Sequence, residues 1–128
     1  MSDAIDNAKR ALRADLRERR YGMSDAARES AADGIREQLR ELVAKTGARS
    51  ISCYLSSPTE PGTRAFIDEA VAAGVRVLLP VSRNDGLLDW VVAEPDAAVA
   101  DGLLGVPEPI GEVLSPIAVG DVDLLVIP

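Results

Sequence analysis

Histidine is absent from the 128-residue chain, and cysteine occurs once, as Cys53. Without histidine the chain cannot supply a Ser-His-Asp centre, a Cys-His centre or a histidine-ligated zinc site. One cysteine cannot form an internal disulfide, and its place in an apolar run predicts a small buried residue in a reducing compartment. Any metal bound here would be a hard ion with oxygen ligands.

Aromatic residues and long apolar runs are also scarce. One Trp, one Phe and two Tyr leave the core to aliphatic side chains and offer few platforms on which nucleic-acid bases could stack. No run is long enough to span a bilayer, and the acidic N-terminus does not have the pattern of a signal peptide. We therefore expect a single cytoplasmic domain, monomeric and without a membrane partner.

Charge divides the chain into a basic head and an acidic body. Residues 1–49 contain eleven of the 14 basic residues and nine acids, so the head carries +2, whereas residues 50–128 carry −9. The bases of the head alternate with acids, and the body would repel phosphate. A nucleic-acid partner is therefore not expected.

The head has the pattern of a helical hairpin, residues 1–47. Apolar residues at helical spacing predict a first helix over residues 3–20, ended by Gly22. Ser24 is a suitable N-cap for a second helix, which Gly47 ends. The second helix is predicted to bury one stripe: Ala27, Ala31, Ile35, Leu39 and Leu42.

From residue 48 to residue 128, the spacing of the apolar residues is no longer only helical, and this part is predicted to form an α/β body. Apolar strands are predicted over residues 50–56, 75–81, 87–94 and 122–128, with a helix over 63–73 between the first two and a Pro- and Gly-punctuated stretch over 95–120. The strand-helix-strand order favours parallel pairing. The sequence thus predicts one α/β domain in which two N-terminal helices pack on a mostly parallel sheet, three-layered and Rossmann-like.

The last predicted strand stops where a ligand-side loop would follow it. In open α/β sheets, ligands bind at loops beyond the carboxyl ends of the strands. The chain instead ends at Pro128. We interpret it as a domain that is incomplete at its C-terminus.

Glu60 lies in such a loop, in the segment YLSSPTEPGT of residues 54–63. Prolines fix φ on both sides of it, and the loop leads from the carboxyl end of a strand into a helix. Glu60 would then face the ligand crevice. The residues alone leave a second interpretation open, in which the acid only complements the helix dipole.

Lys9 and Arg13 are four residues apart and project from one face of the first helix. Two cations at this spacing suit a polyphosphate. Solvated surface charges often have the same spacing, so the pattern alone leaves this interpretation open as well.

Four segments occur in an order and spacing that belong to one known family: KRALRADLRERR near the start, YLSSPTEPGT, GVPEP at 105–109, and VDLLVIP at the end. In these segments, and over essentially its whole length, the chain resembles the 5-formyltetrahydrofolate cyclo-ligases, also called methenyltetrahydrofolate synthetases. The resemblance implies conversion of 5-formyltetrahydrofolate to 5,10-methenyltetrahydrofolate with ATP and Mg²⁺, releasing ADP and phosphate. It also implies that Lys9 and Arg13 help to hold ATP and that Leu55 and Glu60 line the folate pocket; it assigns no catalytic residue and no protein metal ligand.

The chain departs from that family in one respect. The family's glycine-rich loop followed by Tyr-Asp, which wraps the ATP phosphates, comes after the strand that corresponds to DLLVIP and is absent from this sequence. Without those backbone donors we expect weak turnover or none from this chain alone. Two alternatives stay open: a non-catalytic folate- or nucleotide-binding fragment, and another enzyme on a scaffold like that of sugar-phosphate isomerases or CoA-transferases.

Overall fold

In the computed structural model of the chain, the described residues are 2–95, 99–101 and 107–128. In order along this part of the chain, the structure has α1 (Ser2–Tyr21), α2 (Asp25–Thr46), β1 (Ser50–Cys53), α3 (Arg64–Ala72), β2 (Arg76–Ser82), β3 (Leu88–Val92), β4 (Val99–Asp101), β5 (Pro107–Pro109), β6 (Val113–Leu114), a 3₁₀ helix (Pro116–Asp121) and β7 (Leu124–Val126).

Five of the strands form one sheet in the order β6-β3-β2-β1-β7. The strand β1 lies between β2 and the edge strand β7 and pairs in parallel with both, so the predicted strand-helix-strand unit is confirmed. The other half is antiparallel, because β2 turns directly into β3 and β3 then pairs with β6. The predicted α/β class is confirmed, and its sheet is parallel around β1 and antiparallel beyond β2.

Both ends of α2 follow the sequence signals. The Ser24 side chain accepts a hydrogen bond from the amide of Ala27 at 3.1 Å, which satisfies one of the free donors of the first turn. At the other end Gly47 has φ of 67°, and its amide bonds to the carbonyl of Val43. This left-handed backbone conformation commonly ends a helix, and glycine adopts it at little steric cost because it has no Cβ.

The main core lies between one face of the sheet and two helices. Leu39 and Val43 of α2 pack against it, so α2 and α3 cover the same face. Cys53 is buried as predicted, and Trp90 on β3 is 8% exposed. The buried members of this core are Ala48, Ile51, Cys53, Leu55, Phe66, Ile67, Ala70, Val77 and Leu79.

The inward face of α2 differs from the predicted stripe. The Arg36 guanidinium reaches α3, where its Nη1 lies 2.9 Å from a carboxylate oxygen of Glu69, and this hydrogen bond raises the pKa of Arg36. An ion pair therefore occupies part of an interface that the pattern assigned to apolar side chains. Of the predicted stripe, Ile35 and Leu39 are half-buried, whereas Ala27, Ala31 and Leu42 are exposed.

The first helix packs less than expected. α1 has the predicted length, but none of its residues is buried. Its apolar side chains Ile5, Leu12 and Leu16 are 55%, 59% and 42% exposed. Among the described residues, α2 rather than α1 covers the sheet.

The stretch over residues 95–120 contains more regular structure than predicted. β4 and β5 form a separate antiparallel pair, and β6 and the 3₁₀ helix follow. Glu108 is half-buried in β5. Gly105 and Val106 of the GVPEP segment lie outside the described residues.

Candidate functional site

The β1–α3 loop, residues 54–63, is held closed by Thr63, which is 0% exposed. The Thr63 hydroxyl donates to the carbonyl of Tyr54 at 2.7 Å and accepts from the amide of Ser56 at 3.3 Å. The Thr63 amide donates in turn to the Ser56 hydroxyl at 3.0 Å. The Tyr54 hydroxyl also donates to the carbonyl of Pro61 at 2.8 Å. The loop is therefore fixed by its own hydrogen bonds.

Glu60 is the last residue of a tight turn within this loop, residues 57–60. Its amide donates to the carbonyl of Ser57 at 3.1 Å, and Pro58 occupies the second position, where its fixed φ suits such a turn. One carboxylate oxygen of Glu60 accepts from the amide of Ser57 at 2.9 Å. Within the described residues no donor contacts the other oxygen, so one acceptor of a positioned carboxylate is available to a ligand.

Two clefts lie between α2 and this turn. The larger has a volume of about 520 Å³ and the smaller of about 270 Å³. The loop approaches α2 closely, because a Cβ added at Gly62 would lie 3.0 Å from the Cβ of Ala32. Four residues line both clefts: Arg28, Pro58, Glu60 and Gly62.

Charges of both signs surround these clefts. The Arg28 guanidinium donates to the carbonyl of Pro58 at 2.8 Å, and Arg64 Nε donates to the carbonyl of Ser56 at 3.0 Å. Burial raises the pKa of Tyr54, and electrostatic interaction with the neighbouring Cys53 and Glu60 raises it further. Tyr54 therefore stays a neutral hydrogen-bond donor beside Glu60.

Of the four residues predicted to bind ligands, the structure brings Leu55 and Glu60 together in one loop. Leu55 is 8% exposed and belongs to the main core, so its side chain anchors the loop to that core. Lys9 and Arg13 are exposed on α1. In the described part of the chain, neither makes a hydrogen bond or ion pair with the loop. Arg20, which does line the smaller cleft, lies roughly 16 Å from Lys9 and 10 Å from Arg13 along the helix axis.

Sequence reasoning missed Arg28, which lines both clefts and contacts the Glu60 turn. Its acceptors lie seven, eight and thirty residues away along the chain and are all backbone carbonyls. No local spacing marks such a residue. The nearest signal is its position on α2, shortly after the Ser24 cap.

A second charged group lies at the carboxyl end of β2. Because β2 is parallel to β1, this end is at the same edge of the sheet as the Glu60 turn. Arg83 donates to the carboxylates of Asp85 and Asp89, and this pairing holds the pKa of Asp85 below its usual range. The single guanidinium thus bridges the two carboxylates and can offset the charge of only one of them.

Neither a protein metal centre nor a membrane span is found in the described structure. Among residues 2–95, 99–101 and 107–128, no three His, Cys, Asp or Glu side chains are grouped so that they could hold a metal ion. No helix in this part of the chain has both the length and the apolar character needed to cross a membrane.

A positioned carboxylate at the carboxyl edge of parallel strands, next to open clefts, is typical of α/β domains that bind small molecules on their loops. Comparison with known proteins identifies one family within this class. A model of the 5-formyltetrahydrofolate cyclo-ligase family matches residues 5–128. The chain belongs to this family.

The relatives are longer than this chain. It is 33% identical over 126 residues to a 5-formyltetrahydrofolate cyclo-ligase of Mycolicibacterium smegmatis, a match that covers 94% of this chain and 63% of the relative. The fold resembles the NMR structure of Aquifex aeolicus 5,10-methenyltetrahydrofolate synthetase, with a TM-score of 0.73, 21% identity, and coverage of 94% of this chain and 60% of that one. The corresponding Mycoplasma pneumoniae synthetase gives a TM-score of 0.56 at 20% identity, covering 69% of this chain and 55% of that one. The chain therefore spans about three-fifths of the length of these relatives.

Proposed function

We propose that this chain carries the folate-binding loop and part of the nucleotide-binding surface of an ATP-dependent 5-formyltetrahydrofolate cyclo-ligase. The reaction converts 5-formyltetrahydrofolate to 5,10-methenyltetrahydrofolate with release of ADP and phosphate, in the cytoplasm. The observation that carries the proposal is the Glu60 carboxylate, held by the Ser57 amide at 2.9 Å beside two clefts, in a chain of this family.

Glu60 fits the folate side of such a site by its chemistry. A pterin ring presents N–H groups, and a carboxylate accepts hydrogen bonds from them. Because Oε1 of Glu60 is held by the Ser57 amide, the carboxylate is oriented before a ligand arrives. A group that is oriented in advance loses less conformational entropy on binding. Leu55 keeps the loop seated on the core.

Lys9 and Arg13 are proposed to contact the phosphates of ATP. They lie one turn apart on α1, and both are exposed, which suits a polyphosphate in charge and in access. Mg²⁺ would arrive bound to the nucleotide, since this ion is commonly held by substrate phosphates and water. Transfer of a phosphoryl group depends on positioning and on neutralising charge, which cations of this kind supply.

Binding of 5-formyltetrahydrofolate, measured by calorimetry, tests the folate side. Glu60→Gln should weaken binding at least tenfold, because it replaces a charged acceptor by an amide of the same shape. Glu29→Gln is the matched control, since Glu29 also lines the larger cleft but lies on α2, and it should change affinity less than twofold. Equal affinities of the two variants would remove Glu60 from the site, and a wild-type chain without saturable binding would contradict the proposed function.

The nucleotide side is tested separately with MgATP. Lys9→Ala and Arg13→Ala should each weaken binding about tenfold, as expected for loss of a charge-assisted contact to phosphate. Arg17→Ala removes an exposed cation one turn further along α1 and serves as the control. A loss of similar size in all three variants would indicate a general charge effect and not a site.

A further inference from the structure

Arg28 joins two parts of the molecule that are distant in sequence. Its Nη1 donates to the carbonyl of Pro58, in the Glu60 turn, at 2.8 Å. Its Nη2 donates to the carbonyls of Arg20 and Tyr21, at the end of α1, at 2.9 and 3.3 Å. One planar guanidinium therefore bridges the turn and the helix end.

The contact at α1 is important because this helix has little else to hold it. None of its residues is buried. Within the described residues, the two bonds from Arg28 are the side-chain hydrogen bonds that reach α1 from outside it. The carbonyls of a last helical turn lack partners within the helix and carry partial negative charge, so a cation is well suited to them.

The contact at Pro58 fixes the other end of the bridge. Pro58 is part of the turn in which the Glu60 amide bonds to Ser57. Moving Arg28 away would therefore free the turn on its α2 side and leave the bonds within the β1–α3 loop and the bond that Arg64 donates to Ser56. Two elements that carry proposed ligand contacts, α1 and the turn, thus share one anchor.

We propose that Arg28 is a positioning residue that couples the Glu60 turn to α1, the helix that carries Lys9 and Arg13. This inference rests on the proposed function for its consequence: folate bound at Glu60 steadies α1 through Arg28 and so strengthens nucleotide binding. By thermodynamic linkage the effect is reciprocal, and the nucleotide strengthens folate binding by the same factor. Lysine cannot replace Arg28 here, because a single nitrogen cannot reach acceptors on both sides as a planar fork does.

The bridge itself is tested in the free chain by hydrogen exchange. The amides of Glu60 and Gly22 report on its two ends, and the Ala93 amide, bonded to Val77 in the sheet, is the internal reference. In Arg28→Met, exchange at both ends should rise at least tenfold relative to Ala93. Arg40→Met is the matched control on the same helix, where the arginine faces Glu69, and should leave both ratios within twofold of wild type.

Arg28→Lys separates geometry from charge. If the bridge requires the fork, Lys behaves like Met; if positive charge alone is sufficient, Lys behaves like wild type, and the inference is overturned. Unchanged ratios in Arg28→Met, or a rise at one end only, would overturn it as well. The use of ratios keeps these outcomes readable even when the variant is globally less stable.

The functional consequence is measured as the effect of saturating 5-formyltetrahydrofolate on the affinity for MgATP. We expect a severalfold tightening in wild type and in Arg40→Met, and none in Arg28→Lys. A wild-type chain that binds both ligands independently would overturn the coupling. A chain that binds neither would contradict the proposed function instead, while the exchange ratios of the free chain would still decide whether Arg28 forms the bridge.

Discussion

Replacing Thr63 by valine removes one hydroxyl from the most enclosed point of the β1–α3 loop. The shape of the side chain is kept, but the Tyr54 carbonyl and the Ser56 amide lose the partners that lie at 2.7 and 3.3 Å. Thr63 is 0% exposed, so water cannot take the place of the hydroxyl without a rearrangement of the loop. Each buried group left without a partner costs about 1–3 kcal/mol.

The gain from burying a methyl group offsets part of this loss, about 1 kcal/mol. We therefore expect Thr63→Val to lower the free energy of unfolding by about 1–5 kcal/mol, a large fraction of the roughly 5–15 kcal/mol of a typical domain. The single tryptophan, Trp90, is buried, and its fluorescence reports urea unfolding. Thr59→Val is the control, because Thr59 is half-exposed and no side-chain hydrogen bond of it is found in the described structure.

Thr59→Val should leave the free energy of unfolding within about 0.5 kcal/mol of wild type. Should Thr63→Val also fall within that margin, the reasoning would be refuted: the hydroxyl would not be what holds the two ends of the loop together. A large loss in both variants would equally refute it, since the effect would then belong to threonine in this loop generally and not to Thr63.

Two further predictions concern glycine and cysteine. Gly62→Ala should destabilise the fold by about 1–2 kcal/mol, because the new Cβ would lie 3.0 Å from that of Ala32. Gly34→Ala should instead stabilise the fold by about 0.5–1 kcal/mol, because Gly34 lies in a helix interior and its new Cβ would have nothing within 4 Å. Urea unfolding distinguishes the two signs, and equal changes in the free energy of unfolding would contradict the close approach at Gly62. Burial raises the pKa of the Cys53 thiol to about 12, above its value in the unfolded chain, so stability should be fully present below pH 9 and fall toward pH 12, with a slope near 1.4 kcal/mol per pH unit from this group. The measurement is unfolding against pH for wild type and Cys53→Ala, and an alkaline slope that is the same in both would show that the thiol does not titrate as expected.

The features that were predictable from sequence are those that depend on neighbours along the chain. The Ser24 cap and the Gly47 stop are local, and both were found. The strand-helix-strand unit around α3 was visible in the change of period, and it placed Glu60 at the carboxyl edge of β1. Hydrogen bonds and turn geometry within a few residues follow from local rules.

What could not be predicted depends on contacts between distant segments. The inward face of α2 includes Arg36 because Glu69, on another helix, is there to receive it, and helical periodicity does not contain that information. Arg28 contacts carbonyls, which every residue has, so its partners leave no mark in the sequence. The antiparallel half of the sheet likewise depends on β2 turning back directly into β3.

The position of β1 between β2 and β7 affects how the chain folds. One neighbour of β1, at Val77, is 26 residues from its partner Ile51, but the other, at Leu124, is 73 residues away. Closing the longer loop costs about 1 kcal/mol more in chain entropy than closing the shorter one. A ribosome that adds 5–20 residues per second would complete β7 several seconds after β1, so the far edge of β1 stays unpaired during that time. Such an open edge can pair with other chains, and slow translation should therefore increase aggregation of this protein.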